Sequence, residues 1–466
     1  MNNRKSKEVP VIKNRDYIMD IDNLGSNGEG IGRIDGFTMF VTGALPGERV
    51  KVKAVKVGKR YGYGKLIDIL KPSDQRVEPI CQYAKRCGGC QLQHMSYELQ
   101  LEFKKQLVKD ALERIGNLED IIIHDTIGME EPWHYRNKMQ FPIGMLGDKP
   151  AIGFYAPRSH NLIDIDTCHI QHSINDTIVK LVREYINEFN IPVYDETAHK
   201  GILRHLVSKV GFESGEVMVV IVTNGTQLPK GDRLVERLRD NVPGLVSVVQ
   251  NVNSKKTNVI MGGENIVLWG RDHIVDYIDG LKFRISPLSF FQVNPIQTAV
   301  LYNKALDYAG LTGREVVLDA YCGIGTISLF MARKAAKVYG IEVVPQAIED
   351  ARINALENDI HNVEFIVGQA ELVVQDMIDE GLKVDVIVVD PPRKGCDEKL
   401  LEAIIQAQPE RMVYVSCNPA TLARDLAYLS ERGYRVVKVQ PVDMFPQTAH
   451  VECVVLMCAS SEAGKC

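Results

Sequence analysis

Apolar positions along this chain keep different spacings in different stretches, and each spacing predicts a different kind of element. From Tyr17 to about Leu70, short apolar stretches are broken by Gly25, Gly28, Gly30, Gly32, Gly36, Gly43 and Gly47, and Val50, Val52, Ala54, Val55 and Val57 alternate with lysines. Strand-like alternation punctuated by turn residues predicts a small all-β barrel. From Tyr97 to Ile115 the spacing is helical, with Leu101, Leu107, Val108, Leu112 and Ile115 as the apolar stripe. Between about 120 and 280, strand and turn signals mix with one helix near Asn175 to Phe189, and no repeat stands out. From Pro287 the pattern changes to "VVLDAYC", "KVYGIEV", "VEFIVGQ", "VDVIVVDPP" and "RMVYVSC", separated by helical stretches. Continuous Val/Ile runs must be covered on both faces, which predicts a parallel sheet between helices. The expected architecture is therefore a β-barrel at 10–70, a mixed α+β region at 73–280 and a Rossmann-like α/β domain at 281–458. The helix at 97–115 is a candidate to pack on that last domain.

Length supports this division, since 466 residues exceed one ordinary core. A hydrophobic content of 45% and a charged content of 25% are those of a soluble globular protein. Residues 1 to about 10 read as a disordered basic lead-in, and Met1 to Pro10 holds no apolar core for a signal peptide. Runs such as Val217 to Val222 are too short to span a bilayer, so a cytoplasmic protein is expected. Ten cysteines then point to metal ligation, catalysis or burial rather than to disulfides. The net charge of -5 does not advertise a polyanion partner, yet it hides a local excess. Arg49, Lys51, Lys53, Lys56, Lys59, Arg60 and Lys65 lie close together without an acid between them, and Tyr61 and Tyr63 sit among them. Such a face suits phosphate contact and base stacking, although lysines also guard solvated edge strands.

Cys81, Cys87 and Cys90 form C-x5-C-G-G-C, and the Gly88-Gly89 turn lets three thiols converge on one metal centre. A fourth ligand could come from Cys168, His94 or His169. Zinc accepts a mixed set and an iron–sulfur cluster prefers four thiolates, so spacing alone leaves both open.

"VVLDAYCGIGTISLFMA" reads as strand, glycine turn and helix, with Gly323 and Gly325 letting the backbone pass close to a ligand. Glu342, ending the next strand, is placed to accept hydrogen bonds from ribose hydroxyls. The third glycine of a dinucleotide fingerprint is missing, because Ile327 and Ser328 stand where it should fall. Further on comes Asp390-Pro391-Pro392-Arg393, a pattern typical of nucleic-acid methyltransferases. Together these favour S-adenosylmethionine over NAD.

Asp-Pro-Pro alone would also allow methylation of an amino group. "MVYVSCNPAT", however, ends a buried strand with Cys417 at the ligand edge of the sheet, and "HVECVVL" offers Glu452 at the start of the last strand. Carbon 5 of uracil is too weak a nucleophile to attack a sulfonium methyl group directly. A thiolate added at carbon 6 makes carbon 5 reactive, and a carboxylate must then remove its proton. Cys417 would be the nucleophile and Glu452 the base. Read alone, Cys417 could equally be one more buried cysteine like Cys453 or Cys458, and Glu452 could cap an edge.

The Ser416-Cys417-Asn418-Pro419 and His450-Val451-Glu452 pair after Asp390-Pro391-Pro392-Arg393 resembles the RumA/TrmA group of RNA uracil-5-methyltransferases. The resemblance covers nearly the whole chain, including "WHYRNK" (Trp133 to Lys138) and "LRHLV" (Leu203 to Val207). The opening Gly25 to Gly32 with "TGALPGERV" resembles the TRAM domain, an OB-like RNA-binding barrel. C-x5-C-G-G-C with a distant cysteine resembles the [4Fe-4S] segment of RumA-type 23S rRNA uracil-5-methyltransferases, and it implies Cys81, Cys87, Cys90 and Cys168 as ligands. The resemblance further implies a class I methyltransferase domain and cofactor contacts at Gln292, Tyr321, Glu342 and Asp390, with Gln369 near the adenine. Thr326 stands where the family often has asparagine. The expected partner is 23S rRNA bearing an unpaired or flipped uracil, with Arg136, Lys138, Arg204 and His205 as RNA contacts. Neither DNA nor a membrane is expected, and a monomer is. The rivals are the same chemistry on tRNA, and a non-catalytic RNA-binding protein with a structural cluster.

Overall fold

The computed structural model describes residues 9–460, so most of the expected basic lead-in lies outside the described residues. The chain forms two compact units. One holds the residues up to Leu107 together with Gln447–His450, and the other holds Val108–Pro446 and the stretch from Val451 onward. Among the described residues no helix is long and apolar enough to cross a membrane.

In the first unit Asp16–Leu24, Gly30–Ile34, Phe37–Thr42, Arg49–Val57 and Tyr61–Lys71 close into a barrel, the last two strands pairing in reverse chain order. Met39, Val41, Val50, Val52 and Ala54 fill its interior with no exposed surface. Val55, expected to share the alternation, is instead 42% exposed. It follows Ala54 directly, so the alternation of Val50, Val52 and Ala54 already turns it outward, and the register shift between Ala54 and Lys56 then resets the parity so that Val57 returns half-buried. At Gly62 a Cβ would stand 2.8 Å from the Met39 sulfur and 2.9 Å from the Lys56 carbonyl, so the barrel closes there only without a side chain. With Gly62 and Gly64 buried, alternation turns Tyr61 and Tyr63 outward. They meet Phe40 there, with ring centroids 5.6–5.8 Å apart, and the Lys56 ammonium lies 5.9 Å above the Tyr63 ring.

The expected helix runs from Tyr97 to Arg114. Phe103, Val108 and Leu112 are each buried, but Ile115 lies past the helix end and is 50% exposed.

The second unit is built on two large sheets and a two-stranded one, Ile274–Ile278 with Leu281–Ile285. Seven strands run in the order Glu264–Gly270, Leu245–Val252, Val217–Thr223, Leu203–Val210, Lys138–Leu146, Lys149–Tyr155 and Leu162–Asp164. The helices Ile174–Phe189 and Gly231–Asn241 cover one face with Ile178, Val182, Leu234 and Leu238. Eight strands form the second sheet, in the order Val363–Val367, Lys337–Glu342, Val316–Ala320, Val386–Val389, Arg411–Ser416, Glu452–Ala459, Tyr434–Val442 and Ile122–Ile123. The first five are parallel, as their two-sided apolar runs predict, and Glu452–Ala459 enters antiparallel to both its neighbours. A single apolar core includes Val207, Val220 and Val249 of the first sheet and Val317, Val388 and Val413 of the second. The α/β class, the barrel and the mixed central region thus follow the expected architecture.

Candidate active site

The site lies where the parallel strands end. Chain order reverses between Val316–Ala320 and Val386–Val389, the place where open α/β sheets form a crevice at their carboxyl ends. A cavity of about 530 Å³ opens there, walled by Gln292, Tyr321, Gly323, Glu342, Gln369 and Asp390 among others. Six of the residues named from sequence for the cofactor therefore share one wall.

Local chemistry explains the shape of that wall. Tyr321 (φ 83°), Gly323 (φ 56°) and Gly325 (φ 82°) all take left-handed backbone, which is costly for the tyrosine and free for glycine. Backbone N–H groups of Tyr321 and Cys322 both donate to the Ile341 carbonyl, at 3.0 and 2.9 Å, and so pin the turn to the neighbouring strand. Glu342 is already oriented, since its carboxylate accepts from the N–H of Gly323 at 3.3 Å and of Val344 at 3.0 Å. Its remaining lone pairs are available to ribose hydroxyls. Gly325 does not line the cavity. A Cβ there would meet the Phe365 ring at 2.8 Å, so this glycine lets the helix Thr326–Ala332 seat on the sheet. Thr326 does line the cavity, and its hydroxyl lies 3.2 Å from that of Tyr302.

Gln292 is held from the seven-stranded sheet. Asn137 donates its side-chain amide to the Gln292 carbonyl at 2.9 Å, and its backbone N–H to the Val293 carbonyl at 2.9 Å. Lys209, only 4% exposed, donates to the carbonyls of Ser286 at 2.6 Å and Ser289 at 2.8 Å. Burial pushes its ammonium well below the ordinary lysine range. The Ser289 hydroxyl in turn donates to Asp350 at 2.8 Å. Sequence reasoning missed Asn137 and Lys209 in this role. A lone lysine in the run Leu206-Val207-Ser208-Lys209-Val210 was the available signal, because a buried amine must find partners.

The expected reacting pair lies on neighbouring antiparallel strands. Ser416 pairs with Cys453, and one further step of that register sets Cys417 beside Glu452 on the opposite face of the strands. Glu452 is 4% exposed and Cys417 half-buried. Burial pushes the Cys417 thiol up to about 11, with the Glu452 and Asp390 carboxylates adding to the rise and Arg393 opposing it. Burial also lifts Glu452 well above the carboxylate range, with Asp390 adding and Arg393 again opposing. Asp390, raised to about 7 by burial and by Asp319, thus interacts with both members of the pair while lining the cavity. Asn418 caps the helix Pro419–Ser430, accepting from Ala420 N–H at 3.1 Å, with Pro419 in its first turn. The Asn418 amide and the Thr421 hydroxyl donate to the Arg393 carbonyl at 3.0 and 3.2 Å, which ties the Asp390–Arg393 loop to that helix.

Two expectations change. Arg204 is only 5% exposed, and its guanidinium donates to the carbonyls of Asn253, Lys255 and Thr257 while stacking 4.5 Å from the Tyr194 ring. It is a backbone clamp rather than an RNA contact. Burial lowers the His205 imidazole to about 4, so at neutral pH it offers a phosphate no charge. Arg136 and Lys138 are half-buried.

Cys81, Cys87, Cys90 and Cys168 are all partly exposed. Gly88 takes left-handed backbone (φ 68°) between the last two thiols of the motif. Burial raises the Cys87 thiol, the Gly89 N–H opposes the rise and Cys81 adds to it. Among the described residues, however, no three His, Cys, Asp or Glu side chains gather closely enough to hold a metal ion. The donor chemistry suits a thiophilic centre, and the geometry does not form one. Of the alternative ligands, His94 is lowered to about 4 by burial and His169 meets the rings of Trp133 and His134 edge-on.

Comparison with known proteins agrees with this construction. Residues 96–460 match the family described as tRNA (Uracil-5-)-methyltransferase, and residues 17–67 match the TRAM domain. An uncharacterized RNA methyltransferase of Clostridium tetani is 56% identical over 451 residues, spanning 97% of this chain and 98% of its own. Another from Caldanaerobacter subterraneus is 55% identical over 441 residues, spanning 95% and 97%. Among solved structures, the Pyrococcus abyssi tRNA (uracil-54, C5)-methyltransferase in complex with S-adenosyl-L-homocysteine superposes with a TM-score of 0.76 at 28% identity, over 95% of this chain and 100% of that one. This chain belongs to the uracil-5-methyltransferase family of S-adenosylmethionine-dependent RNA methyltransferases, and it carries a TRAM domain ahead of the family region.

Proposed function

We propose that the protein methylates carbon 5 of one uracil in 23S rRNA, acting as a monomer through a covalent adduct on Cys417. The observation that carries this reading is the strand register that sets Cys417 beside Glu452, with Asp390 facing both the pair and the cofactor cavity. Cys417, as thiolate, adds to carbon 6 and leaves carbon 5 as the carbanionic end of an enolate. Bound S-adenosylmethionine supplies the methyl group that carbon 5 takes, and S-adenosylhomocysteine departs. Glu452 removes the carbon-5 proton, the carbon 5–carbon 6 double bond re-forms, and the thiolate leaves. Gln292, Tyr321, Gly323, Glu342, Gln369 and Asp390 would hold the cofactor, and Gly325 would shape the turn beneath it. Phe40, Tyr61 and Tyr63, with the surrounding lysines, would hold single-stranded RNA on the barrel.

Cys81, Cys87, Cys90 and Cys168 are proposed to hold a [4Fe-4S] cluster of structural role. Four iron per chain in anaerobically purified protein would support it, and stoichiometric zinc would overturn it. The tRNA reading is favoured by the likeness to the Pyrococcus enzyme. Mapping 5-methyluridine in total RNA from cells with and without this protein separates the two substrates. RNA carrying 5-fluorouridine should form an adduct with the wild type and none with Cys417→Ala. Equal trapping by both would remove Cys417 from the mechanism.

A further inference from the structure

The connection between the strands Leu245–Val252 and Glu264–Gly270 is long for neighbouring antiparallel strands, and residues 254–259 are all exposed, Val259 at 63%. It is nevertheless firmly braced from below. The buried Arg204 holds the carbonyls of Asn253 at 2.5 Å and Lys255 at 2.9 Å, and reaches that of Thr257 at 3.5 Å. Asn253, 3% exposed, donates to the carbonyls of Val259 at 2.7 Å and Ile260 at 3.0 Å. The amide of fully buried Asn251 exchanges hydrogen bonds with the backbone of Gly262, at 2.9 and 2.7 Å. At Gly262 a Cβ would lie 1.9 Å from the Val252 carbonyl, so the return of the loop depends on glycine. Ile260 and Met261 rest on the same apolar core that contains Phe291 and Cys322 of the cofactor pocket region.

Burying a guanidinium is expensive, and here it is used on the backbone of an exposed loop. A loop ordered in this way at folding loses little further entropy when it meets a partner. What it presents is of one sign. Lys255 and Lys256 have no carboxylate partner among the described residues, whereas Arg233, Arg237 and Arg271 of the same region all have one. Ser254, Thr257 and Asn258 add polar groups, and no acid occurs from Asn251 to Gly263. Adjacent unpaired ammonium groups on a rigid frame suit two successive phosphodiesters.

We propose that Ser254–Asn258 is a phosphate-binding loop that grips the substrate RNA away from the target uracil; the proposal rests on the RNA-methylating reading above. The test compares wild type with the surface double variant Lys255→Ala/Lys256→Ala, using unmodified 23S rRNA and tRNA transcripts. Filter binding from about 50 to about 300 mM salt should show affinity for the preferred transcript lowered roughly tenfold, and a log–log salt slope shallower by about 1.4 to 1.8. Cofactor affinity and the single-turnover rate at saturating RNA should be unchanged. An unaltered RNA affinity and salt slope would overturn the proposal. If the double variant shows the shallower slope but the wild type methylates neither transcript, the catalytic reading fails and the loop's role stands.

Discussion

Ionisation of Cys417 should set the pace of adduct formation, because its thiol is held up to about 11 by burial, Glu452 and Asp390 against the pull of Arg393. At pH ~7.5 roughly one site in three thousand would then carry the thiolate, a deficit of about 5 kcal/mol at ~1.4 kcal/mol per pH unit. The sign follows directly: the reactive form is the deprotonated one, so raising pH toward about 11 increases it. Rapid-quench trapping with 5-fluorouridine RNA, at saturating RNA and cofactor, should show the adduct rate rising about tenfold per pH unit from ~7 to ~10. Two variants should displace the profile in opposite directions. Arg393→Gln removes a cation that favours the thiolate, and its adduct rate should fall at every pH below the midpoint. Glu452→Gln removes a carboxylate that disfavours it, and its midpoint should move down. A profile flat above pH ~7, or two variants shifted the same way, would refute the reasoning, since the thiolate would then be stabilised by something other than these neighbours.

On ordinary RNA, Glu452→Gln should also slow turnover by about a hundredfold or more while a protein–RNA adduct accumulates on denaturing gels; unchanged turnover would remove it as base. Lys209→Met leaves the Ser286 and Ser289 carbonyls without their buried donor. Calorimetry should show cofactor affinity weakened roughly tenfold, about 1.4 kcal/mol, with RNA affinity unchanged, whereas an unaltered cofactor affinity would deny Lys209 any role in shaping the cavity. Asp319 is raised to about 7 by burial, above its unfolded value, so its protonated form stabilises the fold at low pH and that contribution is lost as pH rises through about 7. Asp319→Asn should accordingly raise Tm more at pH ~8 than at pH ~4, because the loss accrues between the unfolded and folded values, and equal gains at both would contradict the assignment.

Much of the fold could be read from local pattern because local pattern caused it. Val386–Val389 is apolar on both faces and sits inside the sheet, and the Asn418-Pro419 cap leaves Cys417 just past the end of the Arg411–Ser416 strand. Most of the cavity wall proposed for the cofactor was legible for the same reason, since Tyr321, Glu342 and Asp390 sit at the ends of strands. What could not be read depends on partners distant in sequence. Arg204 looked like a surface cation until Asn253, Lys255 and Thr257 were seen to occupy it. Val57 is out of phase with Val50 and Val52 and returns toward the core only through a bulge, which leaves no residue signature here. Gly325 belonged to a recognisable turn, yet only the Phe365 ring behind it shows that packing rather than ligand approach demands the glycine.

The register joining Arg411–Ser416 to Glu452–Ala459 also determines which kinds of sequence change the site can survive. Spacing between thiol and carboxylate is set by a ladder of backbone hydrogen bonds, which tolerates apolar exchange at Val454 or Leu456 because those side chains fill space without fixing alignment. Loss of a single residue inside the last strand is different in kind. Side-chain parity would invert along its length, and Cys453 would be carried to the face that now presents Glu452. Inherited variation here should therefore run to substitutions, while one-residue deletions in that strand should abolish activity even in chains that still fold.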